Sequence, residues 1–427
     1  MRTFYPFAVN DIEAFKLRLL YLSEKATHFC LLDSNNYPNY PHASINSIVA
    51  IDAIEIFCEN NNGLSKFQDF QQRHKDWIFG YLSYDLKNEI ENLKVVQKSD
   101  ALAFPLLQFF IPKFIFKFYT NSIEIGVTDD AHIAEFTQLL SQAKTPENMG
   151  TPKVSIQKRN TKEDYIATVE KIKSHIRNGD IYEMNFCQEY YATDVEIEPT
   201  RTFQKLNNAT KAPFASFYKS KDHYLLCSSP ERFIKRQNNQ LISQPIKGTR
   251  KRLADTHLDN KLKNELSTDT KERSENVMIV DLVRNDLSKV AISGSVKVEE
   301  LCGIYTFEQV HQMISTISCA ILNERTFTEI TKATFPMGSM TGAPKIAAMQ
   351  FIEELESFKR GLYSGAIGYI TPDGNFDFNV VIRSILYNKK NKYLAIHAGS
   401  AITAESDAVK EYDECLLKAN AMLQALQ

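Results

Sequence analysis

The sequence predicts a soluble α/β protein in which strands and helices are mixed along the chain. Three runs rich in aromatic and β-branched residues, typical of strands, occupy 28–32, 77–84 and 114–127. Apolar residues recur at helical spacing from Tyr165 to Ile176. The composition, 43% hydrophobic and 24% charged over 427 residues, is that of an ordinary globular protein. We therefore expect both element types around a substantial hydrophobic interior.

The charge balance excludes several classes of partner. A total of 50 Lys and Arg against 52 Asp and Glu gives a net charge of −2, which creates no field for recruiting nucleic acid or an anionic membrane. The first six residues lack the apolar core of a signal peptide, and the most apolar stretch, 103–119, is interrupted by Gln, Pro and Lys. We expect a cytoplasmic protein that binds neither nucleic acid nor membrane.

Cysteine and histidine spacing argues against a disulfide framework and a zinc site. The seven cysteines are scattered singly, without a Cys-x-x-Cys pair, which favours reduced and mostly buried thiols. The nine histidines show no ligand spacing. Carboxylates are therefore the expected ligands of any bound metal.

A connection between two parts of the chain is predicted at 142–158, where Pro, Gly and polar residues concentrate. It separates an N-terminal segment, 1–145, from a second domain, 160–427, in which all the functional signals lie. The second domain opens with a helix, because Thr161 and Asp164 form a capping-box pattern.

Two glutamates on predicted helices are candidate metal ligands. Residues 269–290 have a helical pattern that carries Glu275, and a last helix begins near Asp407 and carries Glu414. Mg²⁺ prefers oxygen ligands and takes few of them from protein, with water and substrate oxygens completing the shell. Exposed helical glutamates are usually just solvated, so the spacing leaves that alternative open.

The loop 335–345 is a candidate ligand contact. Gly338 and Gly342 allow the backbone to approach a ligand closely, and Pro344 suits the first turn of the helix that follows. A helix start presents free N–H groups to an anion, either a carboxylate or a phosphate. A loop of this composition without a ligand is the commoner case, and spacing alone leaves that alternative open.

A lysine and a glutamate are the candidate catalytic groups. Lys247 lies in a strand-like apolar run, where burial would lower the pKa of its amine and make it available as a nucleophile. Glu231, in the segment 228–233, would be an acid if buried. The alternatives are a lysine whose stem packs in the core and a glutamate of a simple turn.

Eight motifs follow one another along the second domain. They are GDIYEMNF (179–186), SSPERF (228–233), PIKGTR (245–250), KERSENVMIVDLVRNDL (271–287), VHQMIS (310–315), FPMGSMTGAPK (335–345), RGLYSGAIGYI (360–370) and AGSAITAESD with EYDECLLK (398–418). In type and order they resemble the chorismate-binding synthases, the family that contains anthranilate synthase component I, aminodeoxychorismate synthase component I and the isochorismate and salicylate synthases. LLDS (31–34) and WIFGYLSYDL (77–86) resemble the family's N-terminal segments more weakly.

The resemblance implies a fold of the α/β (α+β) class, with two large, mostly antiparallel sheets packed as a sandwich, helices outside and the active site in the cleft between the sheets. It implies that Glu275 and Glu414 hold Mg²⁺, which binds the ring carboxylate of chorismate. Arg383 is suited to bidentate capture of the enolpyruvyl carboxylate. The implied substrate contacts are Gly248, Thr249, Tyr363, Arg383, Gly399, Ser400, Ala401 and Lys418.

The PIKGT motif resembles that of the family members that aminate C4 of chorismate, whereas anthranilate synthases typically carry alanine in place of Lys247. This implies that Lys247 attacks C2, that Glu231 protonates the departing C4 hydroxyl, and that His311 lies near the reacting ring. Ammonia then adds at C4 and expels the lysine. Glu183 departs from the glutamine usual in amination enzymes, and Ser400-Ala401 replaces the usual Ala-Gly.

The resemblance also implies partners. A synthase fills the chain, so ammonia is expected from a glutamine amidotransferase subunit in a heterodimer, and the product is expected to be 4-amino-4-deoxychorismate for p-aminobenzoate and folate synthesis. Anthranilate synthase component I is the alternative within the family. A non-catalytic paralogue that binds chorismate or an amino acid is the alternative from another class. The segment 31–34 resembles the region where anthranilate synthases bind tryptophan.

Overall fold

The computed structural model describes residues 2–37, 40, 42, 45–93, 96–141 and 154–427. Most of the predicted connection at 142–158 lies outside these residues.

The strands are β1 Thr3–Pro6, β2 His28–Asp33, β3 Ser47–Glu59, β4 Ile78–Leu82, β5 Leu107–Phe118, β6 Ile123–Val127, β7 Gln157–Lys158, β8 Glu183–Ala192, β9 Phe214–Ser220, β10 His223–Ser229, β11 Arg232–Gln237, β12 Gln240–Gln244, β13 Ile246–Lys251, β14 Lys297–Thr306, β15 Val310–Ala320, β16 Gly342–Ala343, β17 Ala366–Ile370, β18 Phe376–Val380, β19 Ser384–Asn388 and β20 Tyr393–Ile402. The helices are α1 Ile12–Leu22, α2 Gly63–Arg73, α3 Lys87–Ile90, α4 Ala131–Ser141, α5 Lys162–Arg177, α6 Pro199–Thr210, α7 Thr256–Thr268, α8 Thr270–Ser288, α9 Phe327–Thr334, α10 Lys345–Leu355 and α11 Ala408–Ala425.

Antiparallel pairing joins these strands into two layers that meet at the long strand β5. One layer runs from β5 through β3, β2, β9, β10, β19 and β20 to β8. The other runs from β5 through β4, β17, β18, β11 and β12 to β15, which also pairs with β13 and β14. The expected pair of large antiparallel sheets is confirmed, and the structure adds that β5 makes them continuous.

Two hydrophobic cores explain why the layers stack and why the helices lie outside. The first core combines residues of both layers, such as Tyr218 from one and Phe378 from the other. The second packs the first layer against helices, with Phe217 on β9 and Tyr165 on α5 among its members. Phe217 and Tyr218 are neighbours in sequence, and successive side chains of a strand point to opposite faces. The alternation along β9 therefore serves both cores.

The predicted helix starts are confirmed. Thr161 and Asp164 form a capping box at the start of α5. The side chains of Asp269 and Asp407 accept backbone N–H groups at the starts of α8 and α11. These caps fix the helices that carry Glu275 and Glu414. The strand predicted at 114–127 is instead parts of two strands, β5 and β6, separated by a turn.

The N-terminal segment contributes strands to both layers, since β2 pairs with β9 and β4 pairs with β17. The division into 1–145 and 160–427 stays a prediction. All seven cysteines are free and six are buried, as expected. Across the described ranges, no helix combines the length and the apolar composition that a bilayer crossing requires.

Candidate active site

Lys247 and Glu183 form a buried ion pair between the two layers. Lys247 Nζ donates to Glu183 Oε1 at 3.0 Å, and the two side chains are 11% and 1% exposed. Burial by itself lowers the pKa of Lys247, but the carboxylates of Glu183, Glu275 and Glu231 together raise it above its ordinary value. The lowered pKa expected from burial is therefore wrong for this arrangement, because the expectation left out the neighbouring carboxylates. Lys247 is held here as an ammonium.

Glu231 has the properties of an acid. It precedes β11 and is 4% exposed, and Ser339 Oγ donates to its Oε1 at 2.7 Å. Burial raises the pKa of Glu231 to about 7, although Ser339 and Lys247 act to lower it. A carboxyl group with that pKa is protonated in a substantial fraction of molecules near neutrality, which is the state that a proton donor needs.

The loop 335–345 positions two of these groups. Its short 3₁₀ helix, Gly338–Met340, carries Ser339, and β16 pairs with the start of β8, where Glu183 lies. Gly342 has φ +145°, and a Cβ there would lie 2.1 Å from the backbone oxygen of Glu183. Glycine is required at this close approach. Helix α10 begins after Pro344, as expected, whereas anion binding by the loop stays a prediction.

Glu275 on α8 carries an oxygen that lacks a hydrogen bond. Its Oε1 is buried and has no hydrogen-bond partner among the described residues, although Lys271 Nζ lies 3.7 Å away. The same ammonium lies 3.6 Å from Glu411 Oε1 on α11. Burial raises the pKa of Glu275 to about 7, and Lys247 opposes this rise. Lys271 thus links the two acidic helices, a contact that the sequence motifs did not identify.

Glu414 and Lys418 form the other half of this acidic region. Lys418 Nζ lies 2.6 Å from Glu414 Oε1 and donates to the backbone oxygen of Gly399 at 2.8 Å. Burial acts to raise the pKa of Glu414, but Lys418, followed by Lys271 and Lys247, holds it below its ordinary value. Glu414 is therefore ionised, and its charge acts on the same lysines as the charge of Glu275.

Arg383 presents a guanidinium without an acceptor. No hydrogen bond or ion pair of its side chain is found in the described part of the chain, and its backbone is left-handed, with φ +52°. Burial lowers the pKa of Arg383, with Tyr363 and Glu414 acting in the opposite direction. Tyr363 is buried and stacks on His397, with ring centroids 5.0 Å apart. An unpaired, desolvated guanidinium suits a carboxylate ligand.

The remaining expected substrate contacts lie on two strands, β13 and β20. Gly248 has φ +91°, and Thr249 beside it is exposed. A Cβ on Gly399 would lie 2.6 Å from Cys187 Sγ, so this strand pair tolerates only glycine there. The Ser400 hydroxyl lies 3.3 Å from the Tyr165 hydroxyl, towards α5. Ala401 pairs with Asn185 of β8. Their contacts with substrate stay predictions.

His311 is held on both ring nitrogens. Nε2 lies 3.0 Å from Asp259 Oδ1 and Nδ1 lies 3.0 Å from Thr306 Oγ1, and the residue is 1% exposed. The structure places no hydrogen bond between His311 and Lys247 or Glu231. Its proposed place beside the reacting ring stays a prediction.

A separate cavity is lined in part by residues of the N-terminal segment. Asp33 and Ser34 line it together with the buried ion pair of Arg232 and Asp377. Lys247, Glu275 and Glu414 do not line it. The cavity therefore includes part of the segment 31–34, and tryptophan binding there stays a prediction.

Comparisons with known proteins agree with this arrangement. The family described as chorismate binding enzyme matches residues 27–424. The aminodeoxychorismate synthase component 1 of Escherichia coli (strain K12) is 34% identical over 349 residues, covering 82% of this chain and 76% of the relative. The anthranilate synthase component 1 of Saccharolobus solfataricus is 34% identical over 362 residues, covering 84% and 83%. The crystal structure of anthranilate synthase component I from Streptococcus pneumoniae TIGR4 superposes with a TM-score of 0.78 at 25% identity, over 90% of this chain and 95% of that one.

Proposed function

Because this chain belongs to the chorismate binding enzyme family, we propose that it is an aminodeoxychorismate synthase component 1. In this role it converts chorismate and ammonia into 4-amino-4-deoxychorismate and water. The product is a precursor of p-aminobenzoate and folate. The Escherichia coli and Saccharolobus solfataricus relatives, one of each amination type, are both 34% identical to the chain, so a residue in the site is used to choose between the two activities.

That residue is Lys247. Its Nζ lies among the carboxylates of Glu183, Glu275 and Glu231, in the motif position where anthranilate synthases typically have alanine. Once the Lys247 ammonium has passed a proton to Glu183 along their hydrogen bond, the free amine is able to attack C2 of the ring. Glu231 gives its proton to the C4 hydroxyl, which leaves as water. Ammonia adds at C4 and the bond between Lys247 and C2 breaks. The new amino group is then para to the ring carboxylate, and the enolpyruvyl group is retained.

Glu275 and Glu414 are the proposed ligands of a Mg²⁺ ion. Carboxylate oxygens are the ligands that Mg²⁺ prefers. The buried Oε1 of Glu275 has no hydrogen-bond partner among the described residues, and a bound Mg²⁺ would be its partner. The described residues contain no group of three or more His, Cys, Asp or Glu side chains placed to hold a metal. Two carboxylates with water and substrate oxygens are therefore the proposed shell. The ion supplies positive charge for the ring carboxylate of the substrate.

Arg383 is the proposed contact of the enolpyruvyl carboxylate, because its partly buried guanidinium has no acceptor among the described residues. Lys418 bridges Glu414 and the backbone of Gly399, so it joins the proposed metal ligand to the part of β20 that is proposed to contact the substrate. Tyr363, Gly248 and the backbone at 399–401 complete the proposed binding surface, with Thr249 at its exposed edge.

A second subunit is the proposed source of ammonia. The name of the Escherichia coli relative identifies that protein as component 1, and a glutamine amidotransferase is the type of enzyme that releases ammonia from glutamine. We infer that this chain works in a heterodimer with such a subunit and accepts free ammonium salts in its absence.

Product identification tests the proposal. The purified chain is incubated with chorismate, Mg²⁺ and an ammonium salt at mildly alkaline pH, with and without an added aminodeoxychorismate lyase. The products are separated by chromatography and identified by mass spectrometry. The expected product is aminodeoxychorismate, which gives p-aminobenzoate only when the lyase is present. Fluorescent anthranilate with free pyruvate would contradict the proposal and favour the anthranilate synthase activity instead.

A further inference from the structure

Glu183 carries a second acceptor oxygen of the candidate active site, besides that of Glu275, for which the described residues supply no donor. Glu183 is fully buried on β8, and its Oε1 accepts the hydrogen bond of Lys247 at 3.0 Å. Its Oε2 is buried and has no hydrogen-bond partner in the described part of the chain. A buried polar atom left without a partner destabilises the folded state. Such an oxygen is a binding point for a ligand that donates hydrogen bonds.

The charges around this oxygen favour a cation. Glu183 on β8, Glu231 beside β11 and Glu275 on α8 all act on Lys247 of β13 strongly enough to raise its pKa. Lys271 is the other cation that acts on Glu275, and it also lies 3.6 Å from Glu411. Glu183 itself is paired through Oε1 alone, so its Oε2 presents carboxylate charge that no described residue meets with a hydrogen bond.

We propose that Glu183 Oε2 binds ammonium, so that this chain takes its nitrogen donor as the cation at a point beside Lys247. The inference rests on the proposed amination. Ammonium is small, carries a full positive charge and has only donor hydrogens, which match an unpartnered carboxylate oxygen. It is also the nitrogen that the reaction consumes, and Lys247 is the group that it displaces from the ring.

Protons and electrons balance with ammonium in this position. Lys247 passes a proton to Glu183 along their hydrogen bond and forms a bond to C2, while Glu231 gives its proton to the C4 oxygen, which leaves as water with the C–O electron pair. The bound ammonium gives a proton to the ionised Glu231, and its freed lone pair forms the bond to C4. The bond between C2 and Lys247 breaks, its electron pair returns to the lysine, and Lys247 recovers its proton from Glu183. The product leaves with its nitrogen as an ammonium group.

Glutamine at this position would behave differently. Its carbonyl oxygen keeps the hydrogen bond with Lys247, but an NH₂ group replaces Oε2 and the negative charge is lost. An amide NH₂ donates and does not accept. A glutamine variant is therefore limited to uncharged ammonia, whose share of total ammonium rises with pH.

The test measures KM for total ammonium as a function of pH, with ammonium chloride as the nitrogen source and saturating chorismate and Mg²⁺. For the unmodified chain, KM for total ammonium is expected to stay nearly constant from neutral to mildly alkaline pH. For Glu183→Gln, KM at neutral pH is expected to rise about tenfold, the equivalent of about 1.4 kcal/mol. It is then expected to fall with rising pH, in inverse proportion to the fraction of total ammonium present as free ammonia. KM for chorismate is expected to change little in the variant.

Glu189→Gln is the matched control. Glu189 is a buried glutamate on the same strand, but Arg159 and Tyr393 bind its two oxygens at 2.7 and 3.0 Å. The control is expected to keep the KM for ammonium and its pH profile. A Glu183→Gln variant with the unmodified chain's KM and profile would overturn the inference.

The unmodified chain also tests the inference without any variant, should Glu183→Gln fail to fold. The inference is overturned if, in the unmodified chain, KM for total ammonium falls with rising pH in inverse proportion to the fraction present as free ammonia. A chain that forms no aminodeoxychorismate at any pH contradicts the proposed function, so the two failures are distinguishable.

Discussion

Two buried lysines, Lys247 and Lys345, differ in how completely the fold uses their donors. Their side chains are 11% and 10% exposed, and each faces a buried carboxylate, Glu183 or Asp286. The Lys345 ammonium binds Asp286 and two backbone oxygens, so all three of its donors are used. Lys247 makes one hydrogen bond within the described residues. A lysine with every donor satisfied holds the fold together, whereas one with donors to spare is available to a ligand.

The two lysines also differ in the direction in which their pKa values are shifted. Burial lowers the pKa of Lys345, and Asp286 does not fully reverse this. At Lys247 three carboxylates overcome the effect of burial and raise the pKa. Chemistry at Lys247 therefore requires its carboxylate neighbours to change their charge. Glu231, with a pKa of about 7, removes one negative charge when it is protonated near neutrality.

The largest effect on stability is expected from Lys345→Met. This change removes the buried cation of Asp286 and leaves it only the half-exposed Lys289, 3.0 Å from its Oδ1. The loss of unfolding free energy is therefore expected at the lower end of about 3–5 kcal/mol, the range typical of a broken buried ion pair. Urea unfolding of the variant measures that loss. The double variant with Asp286→Asn should recover most of it, because no unpaired charge then remains. A single variant as stable as the unmodified chain would show that Lys345 is not the structural member of the comparison.

A large effect on rate is expected from Glu231→Gln. The amide cannot donate a proton to the departing hydroxyl, so kcat is expected to fall about 10²–10⁴-fold. In the unmodified chain the acid form of Glu231 is present below its pKa of about 7 and is lost above it, so kcat should fall as pH rises through about 7. That descending limb should be absent from the variant. The measurement is kcat against pH for both proteins.

A smaller effect is expected from Arg383→Lys, which tests the unpaired guanidinium. An ammonium keeps the charge but loses the fork that matches a carboxylate, so KM for chorismate should rise about tenfold, or about 1.4 kcal/mol, with a smaller change in kcat. Steady-state kinetics with chorismate as the varied substrate give both values. An unchanged KM would show that this guanidinium does not bind the substrate.

The sequence could predict the fold because its signals are local or belong to ordered motifs. Residue patterns predicted the cap at Thr161 and the helix start at Asp407. The family resemblance predicted the antiparallel layers. The turn that divides 114–127 into β5 and β6 was missed, because few polar residues interrupt the apolar run between the two strands.

The sequence motifs could propose candidate residues for the site but not the contacts between them. The structure places the proposed Glu231, Glu275 and Glu414 within electrostatic reach of Lys247. The rise in the pKa of Lys247 was missed, because the sign depends on carboxylates from three distant parts of the chain.

Two supporting contacts also could not be predicted from the sequence. Ser339 binds Glu231 across 108 residues of chain, and Lys271 joins two helices that are far apart in sequence. A hydroxyl in a loop and a lysine at the start of a helix carry no local signal for either role.

The central claim is that Lys247 is the nucleophile of an amination at C4, and the product of Lys247→Ala tests it most directly. The variant and the unmodified chain are incubated in parallel with chorismate, Mg²⁺ and ammonium salt, and their products are identified by mass spectrometry and chromatography. Formation of aminodeoxychorismate is expected to fall on the order of 10³-fold in the variant, the scale typical of loss of a covalent nucleophile, or the product is expected to shift to the ortho isomer. Full para activity in Lys247→Ala would contradict the account.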